Sequence, residues 1–319
     1  MQLNHRAFTI AEELLRQAAD LNAQIHSIGG ARVLDCGVHA PGCDAAGIGM
    51  ALASLAGLAD VGLRPPDAAE PAWPGCPWPS VGVTSAAPVP ACLASQYAGW
   101  RVSRGRFFAM ASGPIRAAIG REELFDTIGM RENPEVAVGV LETATLPPPE
   151  VCVELAAAAG VSPDRLILVV ARTASRAGTV QIVARSLETA LHKLHDCGFD
   201  LARIRSGTGV APLPPVAGND LAAIGRTNDA ILYGGSVRLE VVGDDASLVA
   251  VGPRGVSGNS PAAGRSFLEI FEAAGRDFYR IDPALFAPAR LEFLNLNTGA
   301  THRFGSLEPS LVAASFSGS

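Results

Sequence analysis

The chain has 319 residues, of which 48% are hydrophobic and only 18% are charged, with 34 glycines and 23 prolines. This composition excludes an intrinsically disordered chain and is typical of a loop-rich α/β protein with one large or two smaller domains. The net charge of −6, without a basic cluster, argues against nucleic-acid binding. No apolar run is long enough to span a bilayer, and residues 1–19 have the pattern of an amphipathic helix and not of a signal peptide, so we expect a cytoplasmic protein without membrane contact.

The first half of the chain predicts helices and strands in alternation. Hydrophobic periodicity indicates a helix over residues 1–26, and a short apolar run indicates a strand at 31–36. A loop with glycine and proline follows, and small residues over 44–60 predict the next helix. Further strands are predicted at residues 81–84, 107–110 and 136–142. The proline-rich segment 146–150 is the best linker candidate, so we expect a first domain at 1–146 and a second at 151–319, and leave open whether the C-terminal segments return to the first.

The second half predicts the same alternation. A helix at 151–159 precedes a buried strand at 166–170, a loop at 171–178 and an amphipathic helix at 180–196. The remaining predicted elements are a helix running into a strand over 220–232, strands at 237–242, 247–251, 278–281 and 291–296, and a helix at 267–274. These elements place the chain in the α/β class.

One strand–loop–helix pattern occurs twice. When Asp35 is set over Ala171, Gly42 falls on Gly178 and Gly62 on Gly198 without a gap. A repeat of this length suggests two related α/β domains.

The helix predicted at 180–196 carries the strongest candidate chemistry. Arg185 and Glu188 are three residues apart and therefore lie on one face of a helix. Such a pair can keep a carboxylate ionised and aimed as a general base, although many such pairs are ordinary surface contacts. The first copy of the repeat has Gly49 and Leu52 at these positions, so only the second copy would carry chemistry.

The sequence predicts a protein without a bound metal. The six cysteines show no paired spacing, which indicates reduced, structural thiols. Cys36, His39 and Cys43 form the tightest metal-like group, but no second cluster of zinc-ligand spacing supports it. Glu188 with His192 resembles half of a metal site, but no third ligand is evident.

Several long segments together resemble one family, methenyltetrahydromethanopterin cyclohydrolase, and most closely its forms from methylotrophic bacteria. The resemblance extends from the first third of the chain to its C-terminal end. The matching stretches are ACLASQYAGW (91–100), SGPIRA (112–117), ARSLETALHK (184–193), GRTNDAILYGGSVRL (225–239), DFYRIDPALFAP (277–288) and FGSLEPSLVAASF (304–316).

The resemblance implies two α/β domains with a cleft between them, assembled as a homotrimer. It implies hydrolysis of N5,N10-methenyl-tetrahydromethanopterin to the N5-formyl compound in one-carbon metabolism (formaldehyde oxidation), without a cofactor. The family's catalytic Arg-x-x-Glu maps onto Arg185 and Glu188. The substrate-binding candidates are Ser95, Gln96, Tyr97, Ser112, Gly113, Asn228, Asp229, Gly234 and Gly235.

The loop before the catalytic helix departs from the family pattern. Arg172 and Arg176 stand where a proline and an apolar residue are usual, and they either favour a phosphorylated or carboxylated pterin tail or are solvent-exposed. These arginines leave open a cyclohydrolase that acts on methenyl-tetrahydrofolate. A catalytically silent pterin-binding protein is the other alternative, and the intact Arg185/Glu188 pair argues against it.

Overall fold

The protein is built from two α/β units. The computed structural model describes residues 1–66, 68, 72–97 and 99–318. The first unit comprises Met1–Ala59 and Val89–Gln181, and the second comprises Asp60–Pro88 and Ile182–Ser319. Each unit has its own six-stranded sheet, which confirms the predicted class with two α/β domains. None of the helices in the described part of the chain is both long and apolar enough to cross a membrane.

The strands and helices alternate along most of the chain. The strands are β1 (Gln24–Ile28), β2 (Ala31–Asp35), β3 (Asp60–Arg64), β4 (Ser80–Ser85), β5 (Trp100–Arg104), β6 (Phe107–Ser112), β7 (Ala137–Glu142), β8 (Leu166–Ala171), β9 (Ile204–Pro212), β10 (Ser236–Val241), β11 (Arg290–Asn295) and β12 (Thr301–Gly305). The helices are α1 (Leu3–Arg16), α2 (Asp44–Ser54), α3 (Ile115–Ile119), α4 (Leu124–Ile128), α5 (Pro149–Ala158), α6 (Arg176–Val183), α7 (Ser186–Asp196), α8 (Asp220–Leu232), α9 (Asp245–Val251), α10 (Phe267–Ala273) and α11 (Pro309–Ser317). A π-helix occupies Val89–Gln96.

The sheet of the first unit has the strand order β1-β2-β8-β7-β6-β5, with β2, β8 and β7 parallel. Every residue of β8 is buried, as expected for a central parallel strand covered on both faces. Its side chains alternate between two cores: Ile167 and Val169 pack in the core that includes α1, whereas Leu168 and Val170 pack in the core that includes α5.

The proline-rich segment at 146–150 begins a crossover helix of the first unit. Helix α5 starts at Pro149 and connects β7 to β8, which are parallel neighbours in one sheet. Proline suits the first turn of a helix because the N–H it lacks would have no intrahelical partner there. The division of the chain into two units therefore differs from the expected one, which had a single boundary between residues 146 and 151. The chain passes from one unit to the other after residues 59, 88 and 181.

The strands and loops of the two repeat copies lie side by side in the first unit, whereas the helix of the second copy, α7, belongs to the second unit. Strands β2 and β8 pair in parallel, so the expectation of one copy in each domain is wrong. The loops nevertheless share a feature, because a Cβ at Gly42 would overlap the Cys36 carbonyl oxygen and one at Gly178 would overlap the equivalent Arg172 carbonyl oxygen. The repeated sequence pattern thus corresponds to two tight turns that follow the neighbouring strands β2 and β8.

The sheet of the second unit has the strand order β12-β11-β10-β9-β4-β3. Strands β10 and β11 are parallel, and the other neighbours in this sheet are antiparallel. Helix α7 packs on β9, β10 and β4. The strand predicted at 247–251 is wrong, because the Asp244 side chain accepts a hydrogen bond from the Ser247 backbone N–H at 2.7 Å and caps helix α9 there.

Candidate functional site

The helix predicted at 180–196 is two helices. Helix α6 ends at Val183, and α7 begins at Ser186 with Arg185 in the N-cap position. The predicted pair is therefore not inside one continuous helix. Glu188 lies in the first turn of α7, where backbone N–H groups without intrahelical partners and the helix dipole favour a negative charge.

Glu188 and Arg185 are both buried, which argues against an ordinary surface pair. The Glu188 side chain is 2% exposed, and Arg185 is 6% exposed. The His192 Nδ1 atom, one helical turn further along α7, lies 3.7 Å from Glu188 Oε1. A buried carboxylate at a helix N-terminus can serve as a general base that is shielded from bulk water.

Two glycines of β9 let the beginning of α7 lie against the sheet. Gly207 and Gly209 face α7 on one side of the strand, and a Cβ at Gly209 would lie 2.5 Å from Ser186 Oγ and 2.8 Å from the Leu187 backbone nitrogen. No side chain fits between this strand and the turn that carries Glu188. The sequence analysis missed both residues, although glycines two apart in a predicted strand mark a close backbone approach.

Five of the predicted substrate-binding residues lie in the first unit. Ser95 and Gln96 end the π-helix and are fully buried, and Ser95 Oγ donates to the Ser54 carbonyl oxygen at 2.5 Å. Ser112 is the last residue of β6, and the Gly113 that follows has a φ of +95°, which only glycine adopts readily.

Arg116 connects two of these segments and was not singled out by sequence. Its guanidinium stacks over the Tyr97 ring at 4.3 Å and donates to the Tyr97 carbonyl oxygen. Its backbone N–H donates to the Gly113 carbonyl oxygen at 3.1 Å, and its side chain pairs with Glu122 at 2.5 Å. The buried Arg116 therefore joins the end of the π-helix to the turn after β6.

The other four substrate-binding candidates lie in the second unit. Asn228 Nδ2 donates to the Ile224 carbonyl oxygen at 2.9 Å, within α8. A Cβ at Gly234 would lie 2.7 Å from Pro212 Cγ, and one at Gly235 would lie 2.5 Å from the Ile231 carbonyl oxygen. The close contacts at this glycine pair are thus made by the protein's own atoms.

Asp229 is fully buried beside a cavity of about 430 Å³. Its carboxylate accepts hydrogen bonds from the Phe267 backbone N–H at 2.8 Å and from Ser315 Oγ at 2.6 Å, so it holds α10 and α11 against α8. Burial raises the pKa of Asp229 to about 6 despite these two bonds.

Asp229→Asn should change how stability depends on pH. Because the pKa of Asp229 is raised to about 6, the folded protein retains a proton that the unfolded chain, with its ordinary pKa near 4, releases. The stability from this proton is fully present below pH 4 and is lost as pH rises through 6. We therefore expect the free energy of unfolding of Asp229→Asn, minus that of the wild type, to rise by about 2 kcal/mol between pH 4 and pH 7. Urea denaturation across this range measures it, and a constant difference would contradict the assignment.

The two arginines that depart from the family pattern lie in the first unit. The Arg176 guanidinium pairs with the Asp44 carboxylate, with Nη2 2.8 Å from Oδ2, and this carboxylate raises the pKa of Arg176. A charge that is already paired attracts a distant anion less strongly. Arg172 lies in the tight loop before α6, where its carbonyl oxygen accepts a hydrogen bond from Ser175 Oγ at 2.7 Å.

The residues of the tightest metal-like group, Cys36, His39 and Cys43, lie in the loop after β2. Burial raises the pKa of the Cys36 thiol, which disfavours the thiolate that metals bind. The Asp35 carboxylate organises this loop by accepting four backbone N–H bonds, from residues 37, 38, 39 and 40, at 2.6 to 3.1 Å. Among the described residues, no three His, Cys, Asp or Glu side chains are grouped as a metal site.

Comparison with known proteins gives one consistent family. The family model described as Cyclohydrolase (MCH) matches residues 2–316. Two proteins named methenyltetrahydromethanopterin cyclohydrolase, from Methylobacterium organophilum and Methanosarcina barkeri, are 43% and 40% identical to this chain. The first alignment covers 98% of this chain and 97% of the Methylobacterium protein. The second covers 99% of this chain and 98% of the Methanosarcina protein. A protein of the same name from Rhodopirellula baltica is 42% identical over 98% of this chain and 94% of its own. These full-length matches confirm the resemblance that the sequence motifs indicated, and the chain belongs to the methenyltetrahydromethanopterin cyclohydrolase family.

Proposed function

We propose that this protein hydrolyses N5,N10-methenyl-tetrahydromethanopterin to N5-formyl-tetrahydromethanopterin, with Glu188 as the general base. The observation that carries the proposal is the burial of Glu188 at the N-terminus of α7, in a chain whose relatives bear the name of this activity. Buried ionisable side chains are costly and cluster at functional sites, which supports a catalytic role for Glu188.

The reaction suits a carboxylate base. The methenyl carbon belongs to an amidinium cation and is already electrophilic, so it needs a positioned water and a group that accepts the water's proton. In the proposed mechanism Glu188 takes this proton as the C–O bond forms, and its negative charge attracts the cationic substrate. Arg185 would repel that substrate if it acted directly. We therefore propose that it orients Glu188 and favours its ionised form.

The tetrahedral intermediate then breaks its bond to N10. In the proposed mechanism the protonated Glu188 gives its proton to N10 and accepts the hydroxyl proton as the formyl C=O forms. We propose that the remaining candidates, in particular the Ser95–Tyr97 and Ser112–Gly113 segments that Arg116 joins, contribute to pterin binding.

We also propose that the protein works without a bound cofactor, as a homotrimer in the cytoplasm. The electrophilic substrate supports the first point, because its activation needs no Lewis acid. The low fraction of charged residues, 18%, supports subunit contacts that cover part of the surface.

The test is an assay of the purified protein with methenyl-tetrahydromethanopterin, following the loss of the methenyl chromophore. Turnover well above the spontaneous rate is the expected result. Binding without turnover would indicate a silent pterin-binding protein, and a preference for methenyl-tetrahydrofolate would indicate a changed substrate. Because the relatives are named for tetrahydromethanopterin, we expect this substrate to be preferred.

A further inference from the structure

Three ionisable side chains follow one another along α7, spaced by four residues. Glu188 comes first, His192 second and Asp196 third. His192 Nδ1 lies 3.7 Å from Glu188 Oε1, and His192 Nε2 lies 3.8 Å from Asp196 Oδ1, so the imidazole stands between the two carboxylates with one nitrogen towards each. We propose that His192 is a proton relay that returns Glu188 to its ionised form after each turnover. This inference rests on the proposed function of Glu188.

The stoichiometry of the reaction requires such a step. A methenyl cation and water give a neutral formyl compound and one proton. Of the two protons of the water molecule, one ends on N10 and the other is left on Glu188 when the formyl C=O has formed. Glu188 cannot act as a base again until that proton has left it, so proton removal is part of every catalytic cycle.

The exposure of the three side chains increases along the helix. The Glu188 side chain is 2% exposed, that of His192 is 33% exposed and that of Asp196 is 42% exposed. The Glu188 proton therefore has little direct access to water, whereas a proton on His192 or Asp196 has ready access. The relay runs from the buried end of this series to its solvent-exposed end.

Imidazole chemistry suits this position. Neutral histidine accepts a proton at one ring nitrogen and releases another proton from the other. In each cycle Nδ1 takes the proton from the Glu188 carboxyl and Nε2 gives one to Asp196 or to water, which leaves the ring neutral. The two distances are slightly longer than hydrogen bonds, and catalytic hydrogen bonds often tighten only when substrate is bound.

Lys193 holds Asp196, the solvent-exposed end of this series, in place. Lys193 Nζ lies 3.5 Å from Asp196 Oδ2 and donates to the Pro283 carbonyl oxygen at 2.5 Å. His195 Nδ1 lies 3.9 Å from Asp196 Oδ1. His195 therefore contacts the same aspartate from the same helix, but it is not placed between Asp196 and Glu188. This makes it a matched control for His192.

The experiment compares His192→Ala with His195→Ala and the wild type. In a stopped-flow single turnover with enzyme in excess and weak buffer, the methenyl chromophore reports chemistry and a pH-indicator dye reports proton release. We expect the two signals to coincide in the wild type and in His195→Ala. In His192→Ala we expect chromophore loss at the wild-type rate, followed by delayed proton release.

Steady-state turnover gives the second readout. We expect kcat of His192→Ala to fall by about one to two orders of magnitude, with KM nearly unchanged, and to recover as imidazole is added. His195→Ala should keep the wild-type kcat and show no response to imidazole. A merely structural role for His192 would slow the first turnover as well and would not be rescued by imidazole.

The proposal is overturned if proton release in His192→Ala keeps pace with chromophore loss, or if its first turnover slows as much as its steady state. Either result would leave the role of Glu188 intact. If instead Glu188→Gln retains wild-type turnover, the proposed base itself fails, and the two failures are therefore distinguishable.

Discussion

Glu188→Gln is expected to lower kcat by about two to four orders of magnitude, the usual contribution of a positioned general base. The amide has the same shape as the carboxylate but cannot accept the proton of the attacking water. It also loses the negative charge that attracts the methenyl cation, so a small rise in KM should accompany the loss of kcat. The measurement is loss of the methenyl chromophore at several substrate concentrations, corrected for spontaneous hydrolysis.

A matched control separates this effect from a general loss of structure. Glu269, in α10 of the same unit, belongs to a capping box at the helix N-terminus. Glu269→Gln keeps the capping geometry and should retain wild-type kcat, with both variants showing a thermal midpoint close to that of the wild type. Wild-type turnover by Glu188→Gln would contradict the assignment of the base.

Gly209→Ala is expected to lower kcat by about a hundredfold, because displacing a catalytic group by about 1 Å has an effect of that size. The new Cβ would lie 2.8 Å from the Leu187 backbone nitrogen, so the first turn of α7 must move away from β9 and take Glu188 with it. The change touches neither Glu188 nor Arg185. Its effect should therefore appear in kcat, with pterin binding largely retained.

Gly207→Ala is the control for this prediction. A Cβ at residue 207 would meet the ends of the Leu187 and Leu239 side chains, at 2.8 and 2.9 Å, and not the backbone of α7. Both variants should lose about 1–3 kcal/mol of stability through overpacking, but only Gly209→Ala should lose most of its turnover. Equal kcat values for the two variants would show that the contact between β9 and α7 does not position the base.

The sequence predicted the elements whose patterns are local. The buried strand at 166–170 and the helix at 151–159 were recognised from apolar runs and periodicity. The interruption between α6 and α7 was missed because the apolar pattern continues through it, and the contact of Ser186 with Gly209 involves a strand more than twenty residues away in the chain. Local periodicity carries no information about such a contact.

Other errors have a common cause, which is that one composition fits two structures. A proline-rich segment is typical of a linker, but Pro149 equally suits the first turn of α5. A short apolar run such as 247–251 fits a strand or a helix, and here the Asp244 cap decided for the helix. The strands predicted at 278–281 and at the end of 220–232 are likewise helical. The candidate base was predicted by residue type and family motif. Its burial, and the position of His192 between Glu188 and Asp196, became apparent only in the structure.

The interleaving of the two units along the chain has a consequence for folding during synthesis. Strand β4 ends at residue 85, yet its neighbour β9 begins at residue 204, so on the ribosome one edge of β4 waits for more than a hundred residues to be translated before it can pair. Unpaired strand edges are prone to aggregation while they wait. During synthesis the edge of the β3–β4 hairpin is therefore exposed until β9 leaves the exit tunnel.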